Sequence, residues 1–371
     1  MKPNEFATLP TVYAVGKNYQ IIVPVTAETV MWVRVGGKNF YDDSNGVLRS
    51  ACSTHKMTVP MELLDEAKEY TVCYRRIIER KPYFSELSEV FEYTSDFKPL
   101  RQDGAIRICH IADAHNKVAE PVAVGNFFGD ALDLLILNGD IPNHSGDIKY
   151  FTAIHEIASG ITKGELPVIF SRGNHDMRGI FAEKLEDHVP TDMGRSYFTF
   201  RLGKLWGMVL DAAEDKPDDH DAYGHTNCCE DFRRRETEFI WSVIENSKNE
   251  YLADGVENRI VISHNPFTHT PPPPFDIEIE TFSEWARLLC ENVKPQVMMC
   301  GHTHKSYVTP IGGELDHKGQ PCPVIVGSEN EGDYYVGGAY ELYTDRCNVK
   351  FVDMKLDVKS EVDIIFDSNC K

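Results

Sequence analysis

Ile106-Arg107-Ile108-Cys109-His110-Ile111-Ala112-Asp113-Ala114-His115 is the stretch from which the rest of the chain can be read. Ile106 to Ala112 is an apolar run of strand length, and it ends in a carboxylate and an imidazole two residues apart. In extended chain such a pair points to one face, so a single ion can sit between Asp113 and His115. If the chain curves there, the two reach neighbouring ions instead.

The same pattern recurs down the sequence. Leu134 to Leu137 runs into Gly139-Asp140, and Pro167 to Phe170 into Gly173-Asn174-His175-Asp176. Arg259 to Ser263 ends in His264-Asn265, and Gln296 to Cys300 in Gly301-His302-Thr303-His304. Leu205 to Leu210 reads as one more strand. Between the strands, 148–161, 232–244 and 282–293 carry apolar residues at helical spacing, which predicts an α/β domain. In such sheets ligands gather at the carboxyl ends of strands, so neighbouring strands would bring the five polar tips together. Imidazoles and carboxylates with almost no thiol suit manganese, iron, zinc or nickel. Glycines 139, 173 and 301 allow sharp turns and close backbone approach. A carboxylate such as Asp140 can bridge two cations through its two oxygens.

Upstream, the first hundred residues read as all-β. Gln20 to Val25, Thr29 to Val35 and Tyr70 to Tyr74 are strand-like, and Gly36-Gly37 and Asn45-Gly46 supply turns. Leu64 followed six residues later by Tyr70 resembles the tyrosine corner of immunoglobulin-like and fibronectin type III sandwiches. A linker near Lys98 to Gly104 divides the chain into a β-sandwich at 1–98 and an α/β domain at 104–371. The latter ends in short strands at 323–326, 340–343 and 349–352. Pro271 to Pro274 is a stiff, extended run expected in a loop beside the site.

Composition narrows the partners. The 371 residues carry a net charge of −20, a field that repels a polyanionic backbone and disfavours nucleic acid. Acidic residues 214–221 read as solvated surface. Ten cysteines without a C-x-x-C spacing predict neither a disulfide framework nor a zinc–thiolate site. There is no apolar run of membrane-spanning length and no leader-like start, so the expected location is the cytoplasm. No protein partner can be inferred.

The ordered blocks D-x-H, G-D, G-N-H-D, H and G-H-x-H, from Asp113 to His304, resemble the signature of calcineurin-like metallophosphoesterases. The resemblance implies a four-layer core of two mixed β-sheets flanked by helices. It implies a metal-dependent phosphoric ester hydrolase, acting on mono- or diesters of small or medium size. Two divalent or trivalent transition metal ions would share a bridging hydroxide. Asp113, His115 and His304 would hold the first ion, Asn174, His264 and His302 the second, and Asp140 both. His175 would be the catalytic acid beside the leaving group, with Asp176 hydrogen-bonded to it. The N-terminal sandwich also resembles that of purple acid phosphatases, but two positions depart from their pattern. His115 stands where they have glycine, and Asn143 where they have a tyrosine ligand, which puts a purple ferric site in doubt.

Arg172 and Arg178 flank Gly173 to Asp176, and Arg178 is the candidate for binding a phosphate oxygen. His110 and His155 read as core histidines and His220 and His225 as solvated. His144 stays open as a site-facing residue, and His269 as part of a lid. A nuclease on the same core and a non-catalytic protein-binding module are the alternative functions. The second would be expected to have lost ligands, and this chain keeps them. Ester preference, natural substrate, metal identity and oligomeric state are not legible.

Overall fold

A computed structural model describes residues 2–366. The first strands are β1 (Thr11–Val15), β2 (Asn18–Pro24), β3 (Thr29–Val35), β4 (Lys38–Tyr41) and β5 (Thr54–Pro60). After helix α1 (Met61–Ala67) come β6 (Glu69–Glu79) and β7 (Phe91–Asp96). Strands β4-β3-β6-β7 form one antiparallel sheet, in the order β7-β6-β3-β4. It packs on β1, β2 and β5: Val12, Tyr19, Ile21 and Val59 share a buried cluster with Met31, Val33, Val72 and Tyr74.

The α/β part supplies β8 (Ile106–Ile111), helix α2 (Ala119–Gly125), β9 (Leu134–Asn138), helix α3 (Thr152–Thr162) and β10 (Pro167–Ser171). Next are β11 (Phe198–Leu202), β12 (Leu205–Leu210), helix α4 (Cys229–Glu245) and β13 (Asn258–Ser263). Helix α5 (Ile279–Leu288) leads to β14 (Val297–Cys300). The chain closes with β15 (Tyr307–Thr309), β16 (Val324–Val326), β17 (Tyr334–Leu342), β18 (Arg346–Asp353) and β19 (Val358–Ile365).

These strands make two mixed sheets. One has six strands in the order β11-β12-β13-β14-β16-β15. The other has ten and runs β19-β18-β17-β8-β9-β10-β1-β2-β5, with Glu329–Glu331 paired to β17. Because side chains alternate along a strand, each sheet serves two cores. Leu134 and Ile136 of β9 meet Ile260 and Ile262 of β13 between the sheets. Their neighbours Leu135 and Leu137 pack on Ile154, Ile157 and Ile161 of α3. On the far side, Met208, Val261 and Met298 pack on Ile240 of α4 and Trp285 of α5. This is the four-layer arrangement of two sheets between helices. No helix among the described residues is long and apolar enough to cross a membrane.

The N-terminal strands are not detached from this core. β1 pairs in parallel with β10, Val12 opposite Pro167 and Tyr13 opposite Val168, so β1-β2-β5 continues the ten-stranded sheet. Tyr70 corrects the tyrosine-corner expectation for a related reason. Its hydroxyl does not return to nearby backbone but donates to the carbonyl of Gly164, 2.9 Å away, in the turn after α3. Gly164 has φ +79°, and a Cβ there would stand 2.6 Å from the Pro10 carbonyl oxygen and 2.9 Å from the Tyr70 hydroxyl. Only glycine satisfies both demands. Tyr70→Phe leaves a buried carbonyl without its donor and is expected to cost about 1–3 kcal/mol of stability. Gly164→Ala should cost more, because it adds a clash and an unfavourable φ. Urea midpoints of the two variants measure this; an unchanged midpoint for Tyr70→Phe would show that the hydroxyl holds nothing.

Candidate metal centre

Five strands of the two facing sheets end at one place. Asp113 and His115 follow β8, Asp140 follows β9, and Asn174 to Asp176 follow β10. His264 follows β13, and His302 and His304 follow β14. Asp113, His115 and His304 bring ligand-type atoms within 4.8 Å of one another, and Asp140, His264 and His302 do the same. Asp140 also groups with His115 and His175, which places its carboxylate between the two clusters. The D-x-H pair thus stays together, whereas the H-x-H pair divides.

The chain does curve there. Asp113, His115, Asp140, His302 and His304 all have positive φ, between 47° and 73°. None is glycine, and each such residue costs roughly 1–3 kcal/mol. Close backbone contact accompanies the curvature. A Cβ on Gly173 would lie 2.3 Å from Asp140 Oδ1, and one on Gly139 2.5 Å from His264 Nδ1.

The atoms face each other as a cation would require. His115 Nε2 and His304 Nε2 are 3.0 Å apart, and His304 Nε2 is 3.6 Å from Asp113 Oδ1. His264 Nε2 lies 3.2 Å from Asp140 Oδ2 and 3.7 Å from Asp113 Oδ1. Donors about 2.1 Å from one ion stand roughly 3.0–3.4 Å from one another, so the His115–His304 and Asp140–His264 spacings fit, and the two Asp113 spacings are slightly longer. The Asn174 side-chain amide joins the same group, 3.0 Å from His302 Nδ1 and 3.3 Å from Asp140 Oδ2. His115 Nδ1 is buried with no partner. The residues present therefore fit a metal.

Electrostatics agree. Burial holds His115 and His302 down at about 4, so both are neutral, as ligand imidazoles must be. His264 behaves oppositely: burial disfavours its charge, but Asp140 and Asp113 raise it to about 10. Two buried carboxylates thus draw positive charge into the centre. Outer contacts set the directions. His264 Nδ1 donates to the Asn138 carbonyl at 2.7 Å, which turns Nε2 inward, where a bound cation would take the place of its proton. The backbone N–H of His302 donates to Asp113 Oδ2 at 2.9 Å, Ser328 also bonds that oxygen, and the Asn330 amide donates to the Asp113 carbonyl.

His175 stands beside this cluster, its Nε2 4.0 Å from Asp140 Oδ2. Nδ1 donates to the Asn143 carbonyl at 2.8 Å, and Nε2 lies 2.9 Å from Arg178 Nη1. Arginine has only donors and a carbonyl only accepts, so the imidazole is the Nδ1–H tautomer. Asp176 is not its partner, contrary to the sequence expectation. The short helical turn His175–Met177 carries the Asp176 carboxylate away from His175, to the Gly173 N–H at 2.7 Å and the Asp140 N–H at 3.3 Å. Burial and the Asp140 charge push Asp176 up to about 8.

Arg178 meets His175 and is gripped by Glu214, 2.8 Å from each carboxylate oxygen, and by Asp215 at 3.2 Å. Arg172 is turned away into a pair with Asp211 at 2.6 Å. Glu214 corrects the reading of 214–221 as solvated surface, since it is only 1% exposed. The missed signal was that β12, like the others, ends in polar residues, from Asp211 to Asp215. His110 and His155 are core histidines: His110 is bonded to Tyr340 and Asn138, and His155 to Thr11 and the His188 carbonyl. His144 is exposed and accepts from the Gly146 N–H. His269 is buried against the Tyr307 ring.

A family model described as calcineurin-like phosphoesterase matches residues 106–306. No curated protein sequence matches the chain. Among solved structures, a purple acid phosphatase from yellow lupin seeds superposes with a TM-score of 0.60 at 11% identity, over 97% of this chain and 74% of that one. PhoD superposes with a TM-score of 0.55 at 10% identity, over 98% and 90%. Both likenesses concern the fold.

Proposed function

The chain belongs to the calcineurin-like phosphoesterase family and is a metal-dependent phosphoester hydrolase, and from that premise we propose a two-ion centre with His175 as its acid. Asp113, His115 and His304 would hold one ion, Asn174, His264 and His302 the other, and Asp140 would serve both. The observation that carries this reading is the Asp140 carboxylate, which lies within 4.8 Å of ligand-type atoms of His115 on one side and of His264 and His302 on the other. When bound, the ions supply a water that ionises near neutral pH and positive charge toward the phosphoryl oxygens.

The chain's own residues do the rest. His264 is fixed by Asn138, and Asp113 by Ser328, Asn330 and the His302 N–H, so the ligands are aimed before any ion arrives. His175 is held through Nδ1 by the Asn143 carbonyl, which leaves Nε2 to deliver a proton to the departing alkoxide. That nitrogen now faces Arg178. Acid action requires a proton on Nε2 and Arg178 Nη1 released from it, free to donate to a phosphate oxygen, while Glu214 keeps the guanidinium in place. Residues 1–98 contribute no ligand, and their part in this reading is to buttress β10 through β1.

Two measurements test the proposal. Elemental analysis of protein purified without chelator should give between one and two equivalents of transition metal. The metal-loaded protein should turn over p-nitrophenyl phosphate, bis-p-nitrophenyl phosphate or cyclic nucleotides, and the ranking reports the ester class. Full activity in a metal-free preparation would defeat the reading.

A further inference from the structure

Beside His302 and Asp215 the surface opens into a cavity of about 550 Å³, within the size range of sites that take small organic ligands. Its walls differ from the polar centre. Phe267, Phe275, Ile277, Phe282, Tyr307 and Leu315 line it. Phe267 and Phe282 are buried and tilt against each other and against Trp285, which makes a rigid floor. Tyr307 is half-buried and lies near parallel to the buried ring of His269, their planes 20° apart. Phe275 is also half-buried, on the loop that the proline run stiffens.

The cavity is joined to the centre by contacts as well as by proximity. Asp215 Oδ2 stands 4.0 Å from His302 Nε2, and Asp215 Oδ1 takes Lys216 Nζ at 2.7 Å. Lys216 Nζ in turn lies 4.9 Å from the centre of the Phe275 ring. At the mouth, Lys305 is exposed and pairs with no carboxylate among the described residues. A phosphate held at the centre would therefore have a cation at one side and an apolar, ring-lined space at the other.

From this we infer that the organic substituent of the phosphate ester carries a flat aromatic ring, which enters this cavity and packs between Phe275 and Tyr307. The inference rests on the phosphoesterase reading of the centre. A bare sugar or glycerol phosphate would leave the rings facing water, and an aliphatic chain would use their area without their flat faces.

The test compares esters whose leaving alcohols have similar acidity: ethyl, octyl and 2-(2-naphthyl)ethyl phosphate, with the matching phosphonates as uncleavable binders to the metal-loaded protein. The naphthyl ester should show a kcat/KM about 10- to 100-fold above the ethyl ester, the span expected for burying one ring. The naphthyl phosphonate should bind tighter than the ethyl one by a similar factor in calorimetry. Phe275→Ala and Tyr307→Ala should each shrink both ratios several-fold; elemental analysis identifies variants that retain their metal. Octyl compounds equal to or better than naphthyl ones would overturn the aromatic assignment, and ratios near one would overturn the cavity's role. If no ester is hydrolysed, the phosphoesterase reading fails, while the phosphonate affinities still decide what the cavity binds.

Discussion

Asp140→Asn is expected to strip metal and abolish turnover together. The substitution is a clean one. Asparagine tolerates the left-handed backbone that Asp140 adopts at φ +52°, so the turn after β9 should survive. The retained oxygen can still accept the His175 N–H, which Asp140 Oδ1 takes at 2.8 Å. What is lost is one negative charge, at the position where two clusters meet. The replacing amide would put a donor toward His264 Nε2, 3.2 Å away, a nitrogen that must be an acceptor to hold an ion. At least one equivalent of metal should be missing after purification, and kcat/KM should fall by roughly 10³-fold or more. That is the scale of losing several kcal/mol of Lewis-acid stabilisation. Elemental analysis and steady-state kinetics on the same preparation measure both. A variant that keeps its full metal would show that Asp140 does not join the clusters.

His175→Asn should separate what Asp140→Asn removes together. Both ring nitrogens of His175 are engaged by Asn143 and Arg178, so metal content should stay nearly unchanged. Turnover should fall by roughly 10²–10⁴-fold, the weight of a positioned general acid. The loss should be largest for alkyl esters, whose alkoxide needs a proton, and should shrink for p-nitrophenyl esters, whose leaving group hardly does. His175 also lies within ligand distance of His115 and Asp140, so the opposite outcome has a clear meaning. If metal is lost with the ring, His175 is a ligand. If metal and the alkyl-ester rate are both kept, another group delivers the proton. His269 lies buried in the neighbouring cavity wall and is the next to replace.

The centre was legible because each of its pieces is local. An apolar strand and the carboxylate or imidazole that follows it lie within about ten residues of one another, three of the five with a glycine turn between, and five such pieces in order mark strand ends that gather at one place. What surrounds the centre was not legible, because it is assembled from distant chain. Glu214 looks like any acid in a polar loop until Arg178 closes on it. Asp176 follows His175 directly, and only the helical turn at 175–177 shows that the two side chains diverge. Ser328 and Asn330, which hold Asp113, come from an unremarkable polar stretch more than two hundred residues away. Strands β11 and β19 escaped notice because charged residues interrupt their apolar pattern, as Arg201 and Glu361 do. The pairing of β1 with β10 leaves no trace in either segment, since each is an ordinary apolar strand.

That pairing sets an order of events at the ribosome. The partner of β1 is finished only at Ser171, about one hundred and sixty residues after β1 begins. Until then the first hundred residues emerge with one strand edge bare, its N–H and C=O groups ready to pair with any extended segment nearby. Synthesis at ordinary rates keeps that edge open for roughly ten seconds or more. Over that interval neighbouring nascent chains on one message compete with β10 for the same groups. Slower translation between codons 15 and 171 should therefore lower the yield of folded protein more than the same delay placed after residue 171.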